Sequence, residues 1–498
     1  MSTRFVRRKD ARLAFARSRA ASFLLGALLA GVLGGCGSGR DVRVRLSTST
    51  HEHLDPFVDT DIQKVRIALS SGVEGEAAYL DITGEDAAAH RDAVHVFDAY
   101  PGKAGARVRI LGYNRLGDVV AFGMEQVQDG DDDADVTVAV RRNLAYVTHR
   151  ENDAFEHPER QIYVIDVATR VLVEKIALPG TAPRARGIAS WGGRAMLVLY
   201  QDGLDGRLGV LSADDHSWST IDLPAPQDMV LAVPGHSTAV LAGNSAITLV
   251  DLESGAVLDS LPVGGLPLDG AMSSDGRRAA VVMDQVSVGG LIVVDVRRRT
   301  ITNQDLVSAP SGLAIDDSGR VVYVTSSVER TVVAFDLVSS RATNLSPGLS
   351  APARGGAAFS DEMRAVFAPD RTGLNLMSLA VEYCSDSGSA TTRLCGASLA
   401  GSLLALPKPV AVLADGSGRR MLVVGSGTST TTNDAGLTFV ETYPVVTDAS
   451  GESLRVEVTP PEGSRSLYPL DPDDTYLEGS VRLRRRYQPN AAAIIYGR

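Results

Sequence analysis

Few stretches of this chain combine side-chain types at spacings that chemistry could use. His149, Glu151, Asp153, Glu156 and His157 crowd into the segment 149–160, HRENDAFEHPER. Imidazoles beside carboxylates are the donors that grip a cation or a polar ligand. Their spacing matches no established metal pattern, and HExxH, CxxC and paired CxxH arrangements are absent from the sequence. The acidic run Asp129–Asp135 fails as a calcium loop. Counted from Asp131, Val136 stands where Gly is required and Arg142 where a bidentate Glu is required. His51 and His53 share one face of an extended segment, but two ligands are too few for zinc. No GxSxG or GxxxxGK[ST] occurs, and Gly425-Ser426-Gly427 is followed by Thr-rich sequence rather than a helix that could receive a phosphate. The sequence therefore implies no catalytic residue, no metal and no cofactor.

The cysteines carry a second kind of chemistry. There are three, Cys36, Cys384 and Cys395. Residues 1–19 hold seven basic residues against one acid, and an apolar run, Ala20–Leu33, leads to Gly34-Gly35-Cys36. A positive segment, a short apolar run and small residues at a cut site read as a secretory signal, too short to span a bilayer comfortably. Leu33-Gly34-Gly35-Cys36 resembles the bacterial lipobox, departing from it at Gly34. That resemblance implies removal of residues 1–35, acylation of Cys36 and a lipid anchor in the cell envelope. Gly37, where an aspartate would favour retention at the inner membrane, points to the outer membrane. The remaining pair, Cys384 and Cys395, is then even in an exported protein and expected to form a disulfide across a polar, turn-rich gap. Without residues 1–35 the formal charge of −11 becomes about −17, which excludes a nucleic-acid footprint.

These residues are positioned by a repeat. Its clearest copy runs from Ser308 to Leu345, with apolar runs at 312–315, 321–325, 332–337 and 342–345. Asp316-Asp317-Ser318-Gly319 supplies the side-chain acceptors and positive φ of a tight hairpin. Aligned on the third run, YVIDV (Asp166), GVLSA (Ser212), TLVDL (Asp251), IVVDV (Asp295) and VAFDL (Asp336) recur at intervals of 46, 39, 44 and 41 residues. Weaker copies follow at 375–381 and 437–442. A period near forty with four short strands per unit is the signature of propeller blades. The units resemble YVTN-type β-propeller repeats, VVYVTSSVERTVVAFDL (321–337) most closely. Seven blades are expected over 142–498. The first blade has no innermost strand of its own, and part of the tail, 479–486 or 491–496, is expected to return and supply it.

Residues 41–140 follow a different rule, about seven strands with strict alternation, as in Val42, Val44 and Leu46 against Arg43 and Arg45. Alternation at period two buries one face. The chain is thus expected to be all-β, a signal peptide (1–35), an immunoglobulin-like β-sandwich (36–141) and a seven-bladed propeller (142–498).

On that architecture, loops between second and third strands and blade-to-blade connections share one face. The long, charged ones, 149–160 with His149, Glu151, Asp153 and His157, and 200–207 with Asp202 and Asp205, would carry the binding surface. Arg186, Asp228, Asp269, Arg354 and Lys408 precede innermost strands and would ring the mouth of the axis. The functional expectation is a membrane-anchored envelope lipoprotein whose propeller is a non-enzymatic binding or scaffold module for a protein or small polar ligand. The alternative, by fold analogy, is a propeller enzyme of lactonase or cofactor-dependent oxidoreductase type.

Overall fold

The computed structural model describes residues 40–495, apart from 50–53, 60, 71–75, 84–92, 101–105, 128–132, 150–156, 170, 274, 285–289, 305, 317–318, 346–351, 354, 361–364, 372–374, 386–391, 404–408, 416–419, 426–435, 447–453, 460–474, 479–480 and 485–488. Cys36 and the signal segment lie outside the described residues.

Strands β1 (Arg40–Ser47), β2 (Ile62–Ser70), β3 (Glu76–Thr83), β4 (Val94–Tyr100), β5 (Arg107–Asn114), β6 (Val119–Gln126), β7 (Ala134–Ala139) and the short β8 (Arg141–Arg142) build two sheets, ordered β4-β1-β7 and β3-β2-β5-β6-β8. Strands β1 and β7 are parallel, the other pairs antiparallel. The alternation read from the sequence is the core: Val42, Val44 and Leu46 of one sheet meet Val65, Ile67, Leu69, Val108 and Ile110 of the other.

The rest of the chain forms seven four-stranded antiparallel sheets and one separate hairpin. Blade 1 contains β9 (Leu144–His149), β10 (Gln161–Asp166) and β11 (Leu172–Ala177). Blade 2 is β12 (Pro183–Trp191), β13 (Ala195–Asp202), β14 (Asp205–Ser212) and β15 (Trp218–Leu223); blade 3 is β16 (Met229–Ala232), β17 (Thr238–Ala242), β18 (Ala246–Asp251) and β19 (Val257–Pro262). Blade 4 is β20 (Leu266–Met272), β21 (Arg278–Asp284), β22 (Gly290–Asp295) and β23 (Thr300–Gln304); blade 5 is β24 (Pro310–Ile315), β25 (Val321–Ser326), β26 (Val332–Asp336) and β27 (Arg341–Leu345). Blade 6 is β28 (Ala358–Ser360), β29 (Ala365–Pro369), β30 (Asn375–Ser385) and β31 (Thr392–Leu403); blade 7 is β32 (Pro409–Ala414), β33 (Arg420–Gly425), β34 (Gly436–Val446) and β35 (Leu454–Thr459). Strands β36 (Thr475–Glu478) and β37 (Val481–Arg484) form the hairpin. The fold is a seven-bladed propeller behind a β-sandwich.

The recurring acid after each third strand has a local cause. Asp166 Oδ1 accepts the Ala168 and Thr169 N–H groups, Asp251 Oδ1 that of Ser254, Asp295 Oδ1 that of Arg298, and Asp336 Oδ1 those of Val338 and Ser339. These Asx turns steer the chain into the fourth strand. Each of three later copies then needs a left-handed residue, taken by Gly255, Arg299 and Ser340 at φ of 71°, 56° and 55°. In blade 2, where Ser212 replaces the acid, His216 occupies that seat at φ 56°.

Strand β38 (Pro489–Ile494) completes blade 1, in the order β11-β10-β9-β38, pairing Ala491 with Thr148, Ala492 with Val147 and Ile494 with Ala145. Of the two tail segments expected to close the ring, 491–496 does so, whereas 481–484 pairs with its own hairpin partner. Ala492, Ala493, Ile494 and Ile495 are buried.

The sandwich is fixed to the propeller. Arg142 Nε donates to Asp166 Oδ2 at 2.6 Å, both side chains being buried. Asn143 Nδ2 lies 3.3 Å from both Val119 O and Asp415 Oδ2, and Arg420 donates to Asp118 Oδ1 at 2.9 Å and to Val167 O at 3.3 Å. Arg141 pairs with Asp214. Leu54, Leu111, Val119 and Phe122 share one apolar cluster with Leu144, Tyr146, Ile162 and Met196.

Deleting residues 489–498 should lower stability by about 4–6 kcal/mol, since two fully buried isoleucines and a strand edge are lost, and should promote self-association through the exposed β9 edge. Urea unfolding with sedimentation velocity checks this; an unchanged midpoint in a monomer would refute the closing role.

Candidate functional site

On the propeller side the polar junction contacts of Asp166, Val167, Asp214, Asp415 and Arg420 lie in, or at the ends of, turns between first and second or between third and fourth strands. The face formed by the second-to-third turns and the blade-to-blade connections is therefore the one the sandwich leaves uncovered.

On this face the inner strands share a device the sequence reading missed. The register shifts by one residue in β12 at Arg186, β20 at Leu268, β24 at Ser311, β32 at Val410 and β38 at Asn490. Four of these bulges directly follow a proline: Pro267, Pro310, Pro409 and Pro489. Proline has no N–H for the ladder and suits the first residue of an edge strand, and the extra residue re-aims its side chain and increases the local twist. The signal was present as a repeated proline at the start of the inner strand, followed two residues on by Gly or Ala in three of the four cases (Gly312, Ala411 and Ala491) and by Asp269 in the fourth. Beyond the bulges the strands converge closely. A Cβ on Gly312 would sit 2.6 Å from the Gly355 carbonyl oxygen, and Gly355 itself (φ 77°) approaches the Pro409 carbonyl.

The mouth residues divide accordingly. Arg186 donates to Gln201 Oε1 at 2.6 Å and lies 3.7 Å from Asp228, joining blade 2 to the start of blade 3. Asp269 reaches across strands: Oδ2 accepts the N–H groups of Leu313 (2.7 Å) and Ala357 (3.2 Å), and Oδ1 that of Gly270 (2.9 Å). Those amides lie on or beside inner strands, whose inner edges have no neighbouring strand, so this carboxylate fastens blades 4, 5 and 6. Burial pushes it up to about 6 against the three hydrogen bonds. Expected as a ligand contact, Asp269 is occupied by the protein's own backbone. Arg354 and Lys408 lie outside the described residues.

The loop residues also divide. His149 is not on a loop: it is the last residue of β9, fully buried, its ring edge-on to Tyr163 with centroids 4.6 Å apart. Strand pairing extends through it, which withdraws it from the surface. Glu151 and Asp153 lie outside the described residues. His157 is half-exposed, with Nδ1 2.8 Å from the Oε1 of buried Glu159 and φ 47°. The segment 200–207, expected as a long loop, is a tight hairpin turning at Gly203-Leu204, with Asp202 paired to Asp205. Asp202 accepts hydrogen bonds from Ala182 N (2.9 Å), Thr181 N and Thr181 Oγ1 (both 3.3 Å), which hold its carboxyl below the ordinary range. Gly180 (φ 129°) permits this approach, since a Cβ there would meet Asp202 Oδ2 at 2.5 Å. Asp205 and Leu204 are exposed at the tip, with Arg207 3.8 Å from Asp205 and bonded to Asp222. The site is thus a rigid, mixed rim, with Arg186–Asp228 at the inner strands and Leu204–Asp205 at the hairpin tip. It can present charge and apolar surface to a partner.

No protein-family model matches the chain, and no curated protein matches it. Among solved structures it is similar to the hydrazine synthase of Kuenenia stuttgartiensis, at 12% identity and a TM-score of 0.43, over 57% of this chain and 89% of that one. It is also similar to a chain of the mitotic checkpoint complex, at 11% identity and a TM-score of 0.44, over 54% and 79%.

Asp269 binds its proton more tightly in the folded protein than its unfolded value of 3.8. Its contribution therefore makes the protein more stable as pH falls from about 7 toward 4, and that gain is lost as pH rises through 6. Urea unfolding of wild type and Asp269→Asn between pH 5 and 8 should give a stability difference that shifts in favour of the variant as pH rises. A pH-independent difference would contradict this reading.

Proposed function

We propose that the protein is an envelope lipoprotein in which acylated Cys36 holds the sandwich at a membrane and the propeller serves as a non-enzymatic binding or scaffold module, its free rim turned outward. The observation that carries this reading is the direction of β1. The strand enters at Arg40, four residues after Cys36 in the sequence and opposite Tyr100 of β4, with Val42 beside Ala134 of β7. It leaves at Ser47, whose carbonyl accepts from Arg141, and Ser49 Oγ then bonds to the propeller at Asp214 O. Arg40 is thus at the sandwich end remote from the propeller, separated from the junction by a strand roughly 25 Å long. The junction occupies the opposite face of the ring from the rim of Arg186, Asp228, Leu204 and Asp205. No catalytic constellation was read from the sequence, and a rigid rim on a scaffold suits recognition.

Mass spectrometry of the mature protein, with affinity capture from native membranes, tests both halves. Expected are an acylated N-terminal Cys36 and a partner retained by wild type but lost from the exposed-tip variant Leu204→Asp/Asp205→Arg. An intact residue 1–35 segment or a free Cys36 thiol defeats the anchor, and the same proteins retained by both forms defeat the rim.

The disulfide also belongs to this proposal. Cys384 and Cys395 lie on the outer hairpin of blade 6, where Cys384 faces Arg393 and Cys395 is the extra residue at a register shift. Linking them would close a short loop and stabilise by roughly 2–3 kcal/mol in the chain-entropy picture. A non-reducing peptide map of exported protein should recover the two peptides joined; free thiols at both positions would refute the pairing.

A further inference from the structure

We propose that the mouth of the propeller axis is a carboxylate-binding seat, built from backbone N–H groups of three blades, which the protein keeps filled with its own Asp269.

The donors come from the inner strands. Each inner strand pairs on one side only, so its other edge carries N–H groups that no ladder receives. In blade 5 the N–H of Leu313 goes to Asp269 Oδ2 at 2.7 Å, and beside blade 6 that of Ala357 goes to the same oxygen at 3.2 Å. In blade 4 the N–H of Gly270 meets Oδ1 at 2.9 Å. The two donors on Oδ2 stand 44 and 88 residues beyond Asp269 in the chain. Sequence-local turn chemistry therefore does not explain the arrangement. Gly355, two residues before Ala357, takes φ 77°, the kind of turn in which successive N–H groups converge on an anion.

The walls of the seat are peptide groups and apolar side chains. A Cβ on Gly356 would lie 3.3 Å from Asp269 Oδ2 and 3.4 Å from both Ala411 Cα and Val412 N of blade 7. A Cβ on Gly270 would meet Met229 Sδ of blade 3 at 2.7 Å. Among the described residues no cation pairs with Asp269. Burial opposes its charge and pushes it up to about 6, and the three amides are what favour the ionised form. Recognition here is by N–H groups converging on two oxygens.

Those donors belong to the backbone and survive a change of side chain at position 269. A free carboxylate of the right size should then replace the one removed. Asp269→Gly leaves room for acetate, whose methyl stands in for the lost Cβ. Asp269→Ala keeps the Cβ and leaves room for formate.

Hydrogen exchange of the full chain at about pH 7.5, where both anions are ionised, reads 310–315 and 355–360 against 195–212 of blade 2. Either substitution should speed exchange of the first two segments about tenfold relative to the reference, because buried donors lose their acceptor. Acetate should restore protection to Asp269→Gly along a saturating curve, and formate to Asp269→Ala, by about tenfold at ten times the dissociation constant. Chloride at equal ionic strength and neutral acetamide should restore neither. Wild type and Asp269→Asn, whose seats stay filled, should respond to none of them. If a variant folds too poorly for exchange, its refolding yield in the matching anion against chloride decides in the same sense. Exchange unaltered by both substitutions, equal restoration by chloride or acetamide, or the same gain in wild type would overturn the proposal.

Discussion

A ring of sheets has one obligation that a single sheet lacks: its last unit must meet its first. Here that meeting is made through β38, with Arg420 of blade 7 also donating to Val167 O of blade 1, and the alternation of β38 does two things at once. Ile494 and Ala492 fill the seam toward blade 7, while Ala493 and Ile495 join the cluster shared with blade 2 and the sandwich. Removing the strand would open both seams and leave β9 as a bare inner edge, the kind of edge that pairs with whatever is available. The geometry of the uncovered rim, including the approach of Arg186 to Asp228, depends on blades being held at fixed angles. That angle is set by closure.

The junction with the sandwich uses the same economy. Asp166 is the turn-forming acid of the first repeat, yet its second carboxylate oxygen takes the buried Arg142 guanidinium. Asp415 holds the Arg420 N–H within its hairpin and meets Asn143 across the domain boundary. Buried charges that are fully bonded stabilise little relative to an apolar alternative, but breaking one partner strands the other, at a cost of about 3–5 kcal/mol. Such contacts favour one orientation of the sandwich over all others. Repeat positions that make local turns were thus turned to joining two domains.

Much of the fold was legible because it is written at short range. The apolar runs of Ser308–Leu345 became β24 to β27 nearly as bounded, and the alternation of Val42, Val44 and Leu46 is the sandwich core. The missing inner strand of blade 1 could be noticed by counting, and the segment 491–496 was one of two that could supply it. The site was read less well, for a physical reason. Charge and loop length suggested exposure, but His149, Asp202 and Asp269 are each engaged in contacts with residues remote in sequence: Pro489 and Tyr163, Thr181 and Ala182, Leu313 and Ala357. No local pattern reports those partners. The prolines before the bulges did carry a local signal, which their repetition across blades makes readable.

The placement of β38 has a kinetic corollary. Residues 145 and 494 must find one another before blade 1 exists, and loop closure over such a separation is slow and entropically unfavourable. A chain emerging from its N-terminus can complete blades 2 to 5 from nearby strands, yet its first blade must wait for residues 489–494, which follow every strand of blade 7. Until then the strand that follows the sandwich is an open template, and a holding factor or a neighbouring copy could occupy it. The stage of biogenesis most exposed to misassembly is therefore the interval between the arrival of blade 7 and the docking of its successor.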